Sequence, residues 1–248
     1  MELAEKYDVC VSALRDFIAG VGDPEVVIGL SGGIDSALVA AMAVDALGAD
    51  RVHGVLLPGP YSSDHSISDA LDLADRLGIK TQTISICEPY EAFEKLLRKP
   101  CGGELAGLAA ENTQARARMV CLMALSNNYG WMLLNTGNKS EACMGYSTLY
   151  GDTAGVFAPI GGLYKTDVFE VCLHLNEEAV KAGKVEPIPE HIITKPPSAE
   201  LAPGQEDERS LGVAYELLDQ ILIEYVEKGQ SVEAIVAKGF DQDLVERI

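Results

Sequence analysis

The architecture of this chain can be read from one octet, Gly29-Leu30-Ser31-Gly32-Gly33-Ile34-Asp35-Ser36. An apolar run at 26–28 precedes the octet, and a second apolar run at 37–44 follows it. This order predicts a strand, a glycine-rich turn and a helix, the setting in which such a loop binds phosphate. The two glycines allow a tight turn that brings backbone N–H groups against an anion. The hydroxyls of Ser31 and Ser36 are candidate donors to phosphate oxygens.

The octet also implies a metal ion. Asp35 would repel a phosphate group unless a cation lay between them, so Mg²⁺ is expected. The octet is not a Walker A loop, because it lacks Gly-Lys-Ser/Thr and the pair Lys139-Ser140 lacks the adjacent glycine. The alternative interpretation is a glycine turn, capped by serine and aspartate, that binds no ligand.

Composition limits the class of partner. The chain carries 38 acidic residues against 19 lysines and arginines, a formal net charge of −19. Such a charge disfavours nucleic acid and anionic membranes and favours small-molecule partners, although a halophilic or merely very soluble protein has the same composition. The six cysteines include no CxxC pair, and we expect most to be buried, reduced thiols. With no signal peptide and no apolar run of about 20 residues, a cytoplasmic location is expected.

Hydrophobic periodicity predicts a doubly wound α/β fold, a parallel sheet with helices on both faces, as a single domain over 1–248. Its ligands should lie at the carboxyl ends of the strands, where residues 29–36, 58–65 and 135–141 should converge. The predicted strands cover 26–30, 51–57, 80–86 and 131–135, and the predicted helices cover 2–19, 36–47, 64–77, 89–98 and 104–126.

The carboxyl-terminal part is interpreted differently. Residues 183–208 carry five of the 11 prolines and read as an irregular segment, either a lid or a linker. We favour a lid, because the segment lies between helices of one domain and not between two blocks of different composition. A single amphipathic helix is predicted over 207–228, with apolar residues at core spacing: Leu211, Ala214, Leu218, Ile221, Leu222 and Tyr225.

Several further segments identify a family. In chain order they are Tyr61-Ser62-Ser63-Asp64-His65-Ser66, Glu111-Asn112-Thr113-Gln114-Ala115-Arg116-Ala117-Arg118-Met119, Asn135-Thr136-Gly137-Asn138-Lys139-Ser140-Glu141, Gly145-Tyr146-Ser147-Thr148-Leu149-Tyr150-Gly151-Asp152 and Lys195-Pro196-Pro197-Ser198-Ala199-Glu200-Leu201. The octet resembles the SGGxDS pyrophosphate loop of the N-type ATP pyrophosphatases, whose fold is adenine nucleotide alpha hydrolase-like. With the other segments, the chain resembles NAD synthetase through most of its length.

The resemblance implies a reaction. In that family ATP adenylates the carboxylate of nicotinic acid adenine dinucleotide (deamido-NAD), pyrophosphate leaves, and ammonia then displaces AMP to give NAD. A carboxylate is a poor acyl electrophile, so adenylation supplies a leaving group, and the enzyme mainly holds two anions together. Mg²⁺ and ATP are the implied cofactor and co-substrate, and a homodimer is implied.

The resemblance also implies roles for individual residues. The octet 29–36 would hold pyrophosphate, and Thr136 and Ser198 would contact ATP. Asp35 and Lys165 are the candidate catalytic residues, Asp35 through Mg²⁺ and Lys165 by neutralising phosphate charge. Glu141 would bind either the metal or deamido-NAD. Asn112 and Arg116, four residues apart on one helical face, would bind deamido-NAD near a dimer interface.

Each assignment has a structural alternative. Arg116 and Arg118 are alternatively surface partners of Glu111 and Gln114, and Lys165 a solvated lysine. His65 is expected to be structural or to form a loop hydrogen bond. Glu141 is alternatively a carboxylate at a helix start, favoured by the macrodipole, and Ser198 a helix cap.

The chain departs from the family pattern at Leu149 and Val156, where the ammonia-only branch usually has Lys and Asp. It resembles instead the synthetase half of the glutamine-dependent branch, and about 28 residues before the octet leave no room for a glutaminase domain. We therefore expect a stand-alone domain that takes ammonia directly or from a separate glutaminase subunit. The family's basic tail is not found after Ile248. Competing interpretations are GMP synthetase, asparagine synthetase, a tRNA-thiolating enzyme, or a nucleotide-binding sensor without turnover.

Overall fold

A computed structural model describes residues 2–248 of the chain. Strands and helices alternate through the first half, as the periodicity predicted. The strands are β1 (Val26–Gly29), β2 (Val52–Leu56), β3 (Lys80–Thr83) and β4 (Met132–Leu133). The α-helices are α1 (Leu3–Gly20), α2 (Ile34–Leu47), α3 (Asp64–Leu77), α4 (Cys87–Leu97), α5 (Leu108–Tyr129), α6 (Lys139–Met144), α7 (Lys165–Lys181), α8 (Glu190–Thr194), α9 (Asp207–Leu211), α10 (Tyr215–Leu222), α11 (Val232–Val236) and α12 (Gln242–Arg247).

The four strands form one parallel sheet in the order β3-β2-β1-β4. Val26 of β1 pairs with Val52 of β2 on one side and with Met132 of β4 on the other. The chain therefore moves outward from β1 to β3 and then returns to the opposite side of β1. In such sheets the reversal opens a crevice beyond the carboxyl ends of the two diverging strands, here β1 and β4.

Helices cover both faces of the sheet, which confirms the predicted fold class. On one face α1, α2, α3 and α7 form the main core, in which Leu14, Leu38 and Val171 are fully buried. The near-continuous apolar sequence of α2 follows from its burial between the sheet and these helices. On the other face α4 and α5 pack on the sheet through a smaller core that contains Ile86 and Leu122.

The predicted strands at the two edges of the sheet are longer than the observed ones. β4 has two residues, and Leu134 continues it with an isolated bridge to Phe157. β3 ends at Thr83, although the N–H of Ile84 still donates to Leu56 at 2.9 Å. An edge strand has one neighbour, so apolar sequence can extend beyond the ladder.

The prediction of one helix over 207–228 is wrong. Gly212, in the left-handed conformation at φ +69°, ends α9, and the chain re-enters a helix at Tyr215 as α10. A glycine with positive φ after a helix is a common C-terminal cap. Leu211, Leu218, Ile221 and Leu222 are buried as predicted, whereas Ala214 and Tyr225 are exposed. The apolar residues have helical spacing throughout, but they belong to two helices that are separated at Gly212.

The segment 183–208 is irregular except for α8 and the start of α9. All six cysteines are free thiols, but the prediction that most are buried is wrong, because only Cys172 is buried. The other five lie at the surface of the core or on exposed loops and helix faces, three of them half-buried and two exposed. Among residues 2–248, every helix is too short or too polar to span a lipid bilayer.

Candidate active site

A cavity of about 900 Å³ lies at the carboxyl ends of the strands. Residues from the octet, from the loop after β2 and from the segment after β4 all line it. The predicted convergence of these three segments is therefore confirmed. Residues 195–202 and 204–207 also line it, so part of the proline-rich segment 183–208 belongs to the cavity wall.

The octet turns tightly because its serines bond to its own backbone. The N–H of Gly33 donates to Ser31 Oγ at 3.1 Å, and Ser36 Oγ donates to the carbonyl of Gly33 at 3.0 Å. Ser36 is buried, so its hydroxyl mainly stabilises the loop, whereas Ser31 is exposed. Gly32 has φ +78°, and a Cβ there would lie 2.2 Å from the carbonyl oxygen of Ser66. Glycine is required at 32.

The helix that follows the octet presents free N–H groups. Its first intrahelical bond runs from Ala37 N to Gly33 O at 3.1 Å, and Gly33 provides no side-chain cap. The N–H groups of Ile34, Asp35 and Ser36 precede that bond. Such groups, together with the helix dipole, favour an anion at this end of the helix.

Lys165, Asp35 and Glu141 form what we call the inner cluster. Lys165 Nζ lies 2.5 Å from Asp35 Oδ2 and 3.4 Å from Glu141 Oε1. The Lys165 side chain is 2% exposed, so the alternative of a solvated lysine is wrong. Its ammonium also lies 5.3 Å from the centre of the Tyr215 ring, within cation–π range.

Asn138 connects this cluster to the segment after β4. Its Nδ2 donates to Asp35 Oδ1 at 2.8 Å, and its Oδ1 accepts from the N–H of Glu141 at 3.0 Å as the cap of α6. One amide side chain therefore holds the carboxylate of Asp35 and caps the helix that carries Glu141. Sequence reasoning missed Asn138, although asparagine before Lys-Ser-Glu is a helix-cap signal.

The cluster carries more negative than positive charge. Burial, and then the neighbouring charge of Asp35, raise the pKa of Glu141 above its ordinary value. Burial alone would lower the pKa of Lys165, but Asp35 and Glu141 raise it above the ordinary lysine value. Two carboxylates share one ammonium in a poorly hydrated place. Their hard oxygen ligands fit Mg²⁺, which takes one or two carboxylates together with phosphate oxygens.

Asp207, a second residue that sequence reasoning missed, is buried at the start of α9. Its Oδ1 accepts from the N–H of Ala199 at 3.2 Å and from the hydroxyl of Tyr146 at 3.3 Å. Burial is the main reason that the pKa of Asp207 is raised. The residue ties the proline-rich segment to the cavity wall beside the inner cluster.

Glu200 ties the same segment to the start of α3. Its carboxylate accepts from Ser63 Oγ at 2.6 Å, from Ser63 N at 3.1 Å and from Ser66 Oγ at 2.8 Å. On the other side Gln114 Nε2 donates to the carbonyl of Leu201 at 2.9 Å. The segment is thus attached to both α3 and α5.

Thr136 and Ser198, which with Lys165 are the predicted ATP contacts outside the octet, both line the cavity. Ser198 Oγ donates to the carbonyl of Gln205 at 2.6 Å and accepts from the N–H of Glu200 at 3.2 Å. Since α8 ends at Thr194 and α9 begins at Asp207, the alternative that Ser198 caps a helix is wrong.

Asn112 and Arg116 lie on one face of α5 as predicted, but the structure places them outside the cavity lining. Asn112 Oδ1 accepts from Thr148 Oγ1 at 2.8 Å, and Arg116 Nε donates to the carbonyl of Leu149 at 3.1 Å. Both therefore support the turn at 148–149.

Arg118, by contrast, lines the cavity and donates to the carbonyl of Leu57 at 2.9 Å. Burial lowers the pKa of its guanidinium. Within residues 2–248, neither Arg116 nor Arg118 forms an ion pair, against the surface-partner alternative.

Comparison with known proteins supports this interpretation of the fold. The glutamine-dependent NAD(+) synthetase of Rhodobacter capsulatus is 50% identical over 250 residues, which is 100% of this chain and 45% of that protein. A solved structure of glutamine-dependent NAD+ synthetase from Acinetobacter baumannii, in complex with ADP, is 42% identical with a TM-score of 0.75. The match covers 100% of this chain and 44% of that one.

A shorter protein also matches. The NH3-dependent NAD synthetase from Campylobacter jejuni, solved with nitrate, is 28% identical with a TM-score of 0.76, over 99% of this chain and 91% of that one. The present chain thus spans less than half of the glutamine-dependent proteins and most of the NH3-dependent one. The NAD synthase family model matches residues 6–248. The chain therefore belongs to the NAD synthase family.

Proposed function

We propose that this chain amidates nicotinic acid adenine dinucleotide to NAD at the expense of ATP, through an adenylated intermediate, with release of AMP and pyrophosphate. One observation carries the proposal. The free N–H groups of the octet and the inner cluster, Lys165, Asp35 and Glu141, meet in one cavity of a chain that belongs to this family.

Each group of residues in the cavity is proposed to have its own role, which depends on its charge. The N–H groups at the start of α2 and the hydroxyl of Ser31 bind the phosphates that leave as pyrophosphate. Lys165 neutralises negative charge that develops on those phosphates. Asp35 and Glu141 would hold Mg²⁺, which would supply further positive charge to stabilise the phosphate groups of ATP. Thr136 and Ser198, on the cavity wall, contact the rest of ATP.

The dinucleotide substrate is proposed to bind along α5, at Asn112 and Arg116. A second copy of the chain is proposed to complete this binding site. The exposed apolar side chains on and beside this helix support a homodimer there. They are Val120 at 66% exposure, Leu149 at 61% and Tyr150 at 75%. Since Asn112 and Arg116 contact the 148–149 turn, this turn would belong to the same subsite.

The nitrogen donor is proposed to be ammonia, taken directly or from a separate glutaminase subunit. The match over most of an NH3-dependent protein supports direct use, and the glutamine-dependent relatives support a supplying partner. On this proposal residues 1–248 act as an ATP-pyrophosphatase unit in the cytoplasm, and 183–208 act as its lid.

The test is a single incubation of the protein with ATP, Mg²⁺, ammonium and nicotinic acid adenine dinucleotide. NAD, AMP and pyrophosphate should form in equal amounts. ADP and orthophosphate in place of AMP and pyrophosphate would overturn the proposed chemistry, and absence of all products would favour a nucleotide sensor.

Two further incubations define the substrates. With glutamine in place of ammonium, we expect no NAD. With nicotinic acid mononucleotide as acceptor, we expect slower turnover, because the adenosine half would no longer bind. Equal turnover of the two acceptors would contradict the proposed dinucleotide subsite.

A further inference from the structure

A second cluster of ligating side chains lies at the rim of the cavity. His65 and Asp69 are one turn apart on α3, and His191 comes from α8. Each offers one ligand atom, and the three atoms lie within 4.8 Å of one another. We call these three residues, with the neighbouring Lys195, the rim cluster.

We propose that His65, Asp69 and His191 bind a divalent transition-metal ion of the Zn²⁺ class, distinct from the Mg²⁺ of the inner cluster. Two imidazoles and one carboxylate are a donor set that suits Zn²⁺, Co²⁺ or Ni²⁺, whereas Mg²⁺ prefers oxygen ligands. The spacing of His65 and Asp69 on one helix puts both side chains on the same face.

The geometry is close to what a metal requires. His191 Nδ1 lies 2.8 Å from Asp69 Oδ2, and the His65 and His191 rings meet edge to face with centroids 5.5 Å apart. A metal that replaced the proton between His191 and Asp69 would need a small movement of His65. The hydroxyl of Ser63 lies 3.0 Å from His65 Nδ1, an outer contact of the kind that orients metal-binding imidazoles.

Lys195 competes with the metal. Its Nζ donates to Asp69 Oδ2 at 2.7 Å and to Ser66 Oγ at 3.3 Å, so the carboxylate already has a positive partner. A divalent ion must displace or tolerate this ammonium. The site should therefore be modest in affinity, and removal of the Lys195 charge should tighten it.

Occupancy would connect two parts of the cavity wall. His65 and Asp69 belong to α3, and His191 precedes residues 195–201, which line the cavity. A metal bound by all three would hold that segment against α3 in addition to the Glu200 contacts. The metal site does not depend on the reaction proposed above, because its residues lie outside the inner cluster.

The test is titration of the metal-free protein with Co²⁺, in excess Mg²⁺ to saturate the inner cluster. One equivalent should bind, with the visible absorption of nitrogen- and oxygen-ligated Co²⁺ and without the charge-transfer bands of thiolate ligation. His65→Gln and His191→Gln should each weaken binding by at least about tenfold, since even an outer-shell partner is worth about 10- to 100-fold. His174→Gln, a histidine on α7, is the matched control and should leave binding unchanged.

Lys195→Met should have the opposite effect to the histidine variants and should tighten Co²⁺ binding several-fold. Circular dichroism of each variant confirms that it is folded. Equal Co²⁺ affinity in wild type, His65→Gln and His191→Gln would overturn the proposal, as would thiolate bands in the wild-type complex. Absence of stoichiometric binding in both wild type and Lys195→Met would overturn it as well.

Discussion

Two charged clusters lie on the same cavity, and their charge balance is opposite. In the inner cluster one ammonium, Lys165, serves two carboxylates, Asp35 and Glu141. In the rim cluster one carboxylate, Asp69, has two partners, Lys195 and His191. The inner cluster therefore has fewer positive groups than carboxylates, whereas the single carboxylate of the rim cluster has two partners. The same substitution should have very different consequences in the two places.

The pKa shifts follow this difference. At Asp69 burial would raise the pKa, but Lys195 and His191 hold it below its ordinary value. At Glu141 burial and the charge of Asp35 raise the pKa in spite of Lys165. An added cation is favoured where the carboxylates lack partners, which is the inner cluster.

Lys165→Met should have the largest effect. It leaves Asp35 and Glu141 in place without their ammonium, and we expect the free energy of unfolding to fall by about 3–5 kcal/mol. Urea unfolding without Mg²⁺ measures the loss. Added Mg²⁺ should restore part of it, because the ion replaces the missing positive charge. A loss below about 1 kcal/mol would show that the pair behaves like a surface ion pair.

Asp35→Ala should lower NAD formation by at least about 100-fold, the scale of losing one preorganised electrostatic contact to the transition state. The fold should persist, because Lys165 keeps Glu141 as a partner. The matched control is Asp16→Ala, at an exposed position of α1. Near-normal turnover in Asp35→Ala, measured as NAD per unit time, would refute the metal and catalytic assignments together.

Glu141→Gln should change the pH dependence of stability. Because the folded-state pKa of Glu141 is raised, the folded protein binds this proton more tightly than the unfolded chain does. Its contribution therefore makes stability fall as pH rises through the raised pKa.

The variant should flatten this part of the stability–pH curve by more than about 1 kcal/mol, because the pKa of Glu141 is raised to about 8 and each pKa unit is worth about 1.4 kcal/mol. Urea midpoints from mildly acidic to mildly alkaline pH, without Mg²⁺, provide the measurement. Saturating Mg²⁺ should flatten the wild-type curve in the same way, since it keeps the carboxylate ionised. Parallel curves for the variant and the wild type would contradict the assignment.

Lys195→Met is the matched partner of the first substitution and should have the smallest effect. Asp69 keeps His191 as a partner, with Nδ1 of the half-exposed imidazole 2.8 Å from Asp69 Oδ2. We expect a loss of about 1 kcal/mol or less in the same urea experiment. A loss as large as that of Lys165→Met would mean that the number of partners does not explain the difference between the clusters.

Sequence reasoning located the elements that depend on local pattern. The helix predicted over 64–77 matches α3, and the octet forms the expected strand, turn and helix. These segments carry their own signals, namely apolar spacing, caps and glycines. The failure over 207–228 is also local in origin, because Gly212 sits inside a pattern that otherwise continues with helical spacing.

The site residues that sequence reasoning missed depend on contacts between distant segments and not on local pattern. Asn138 acts on Asp35, 103 positions earlier in the chain, and Glu200 acts on Ser63, 137 positions earlier. Asp207 is buried beside Lys165 only because α9 folds back onto the cavity. Contacts between distant segments produce no periodic pattern in a single sequence, so they cannot be predicted from it. The family resemblance supplied Lys165 for the same reason, since its spacing in α7 is that of any polar helix start.

The close approach of Gly32 to Ser66 has a mechanical consequence. The backbone of the octet touches the start of α3, and the Ser66 hydroxyl there donates to Glu200 of the proline-rich segment. Three segments that are far apart in sequence, namely the octet, the start of α3 and the proline-rich segment, are thus in direct contact. A side chain at position 32 would therefore displace the start of α3 as well as the octet, and with it the hydrogen bond from Ser66 to Glu200.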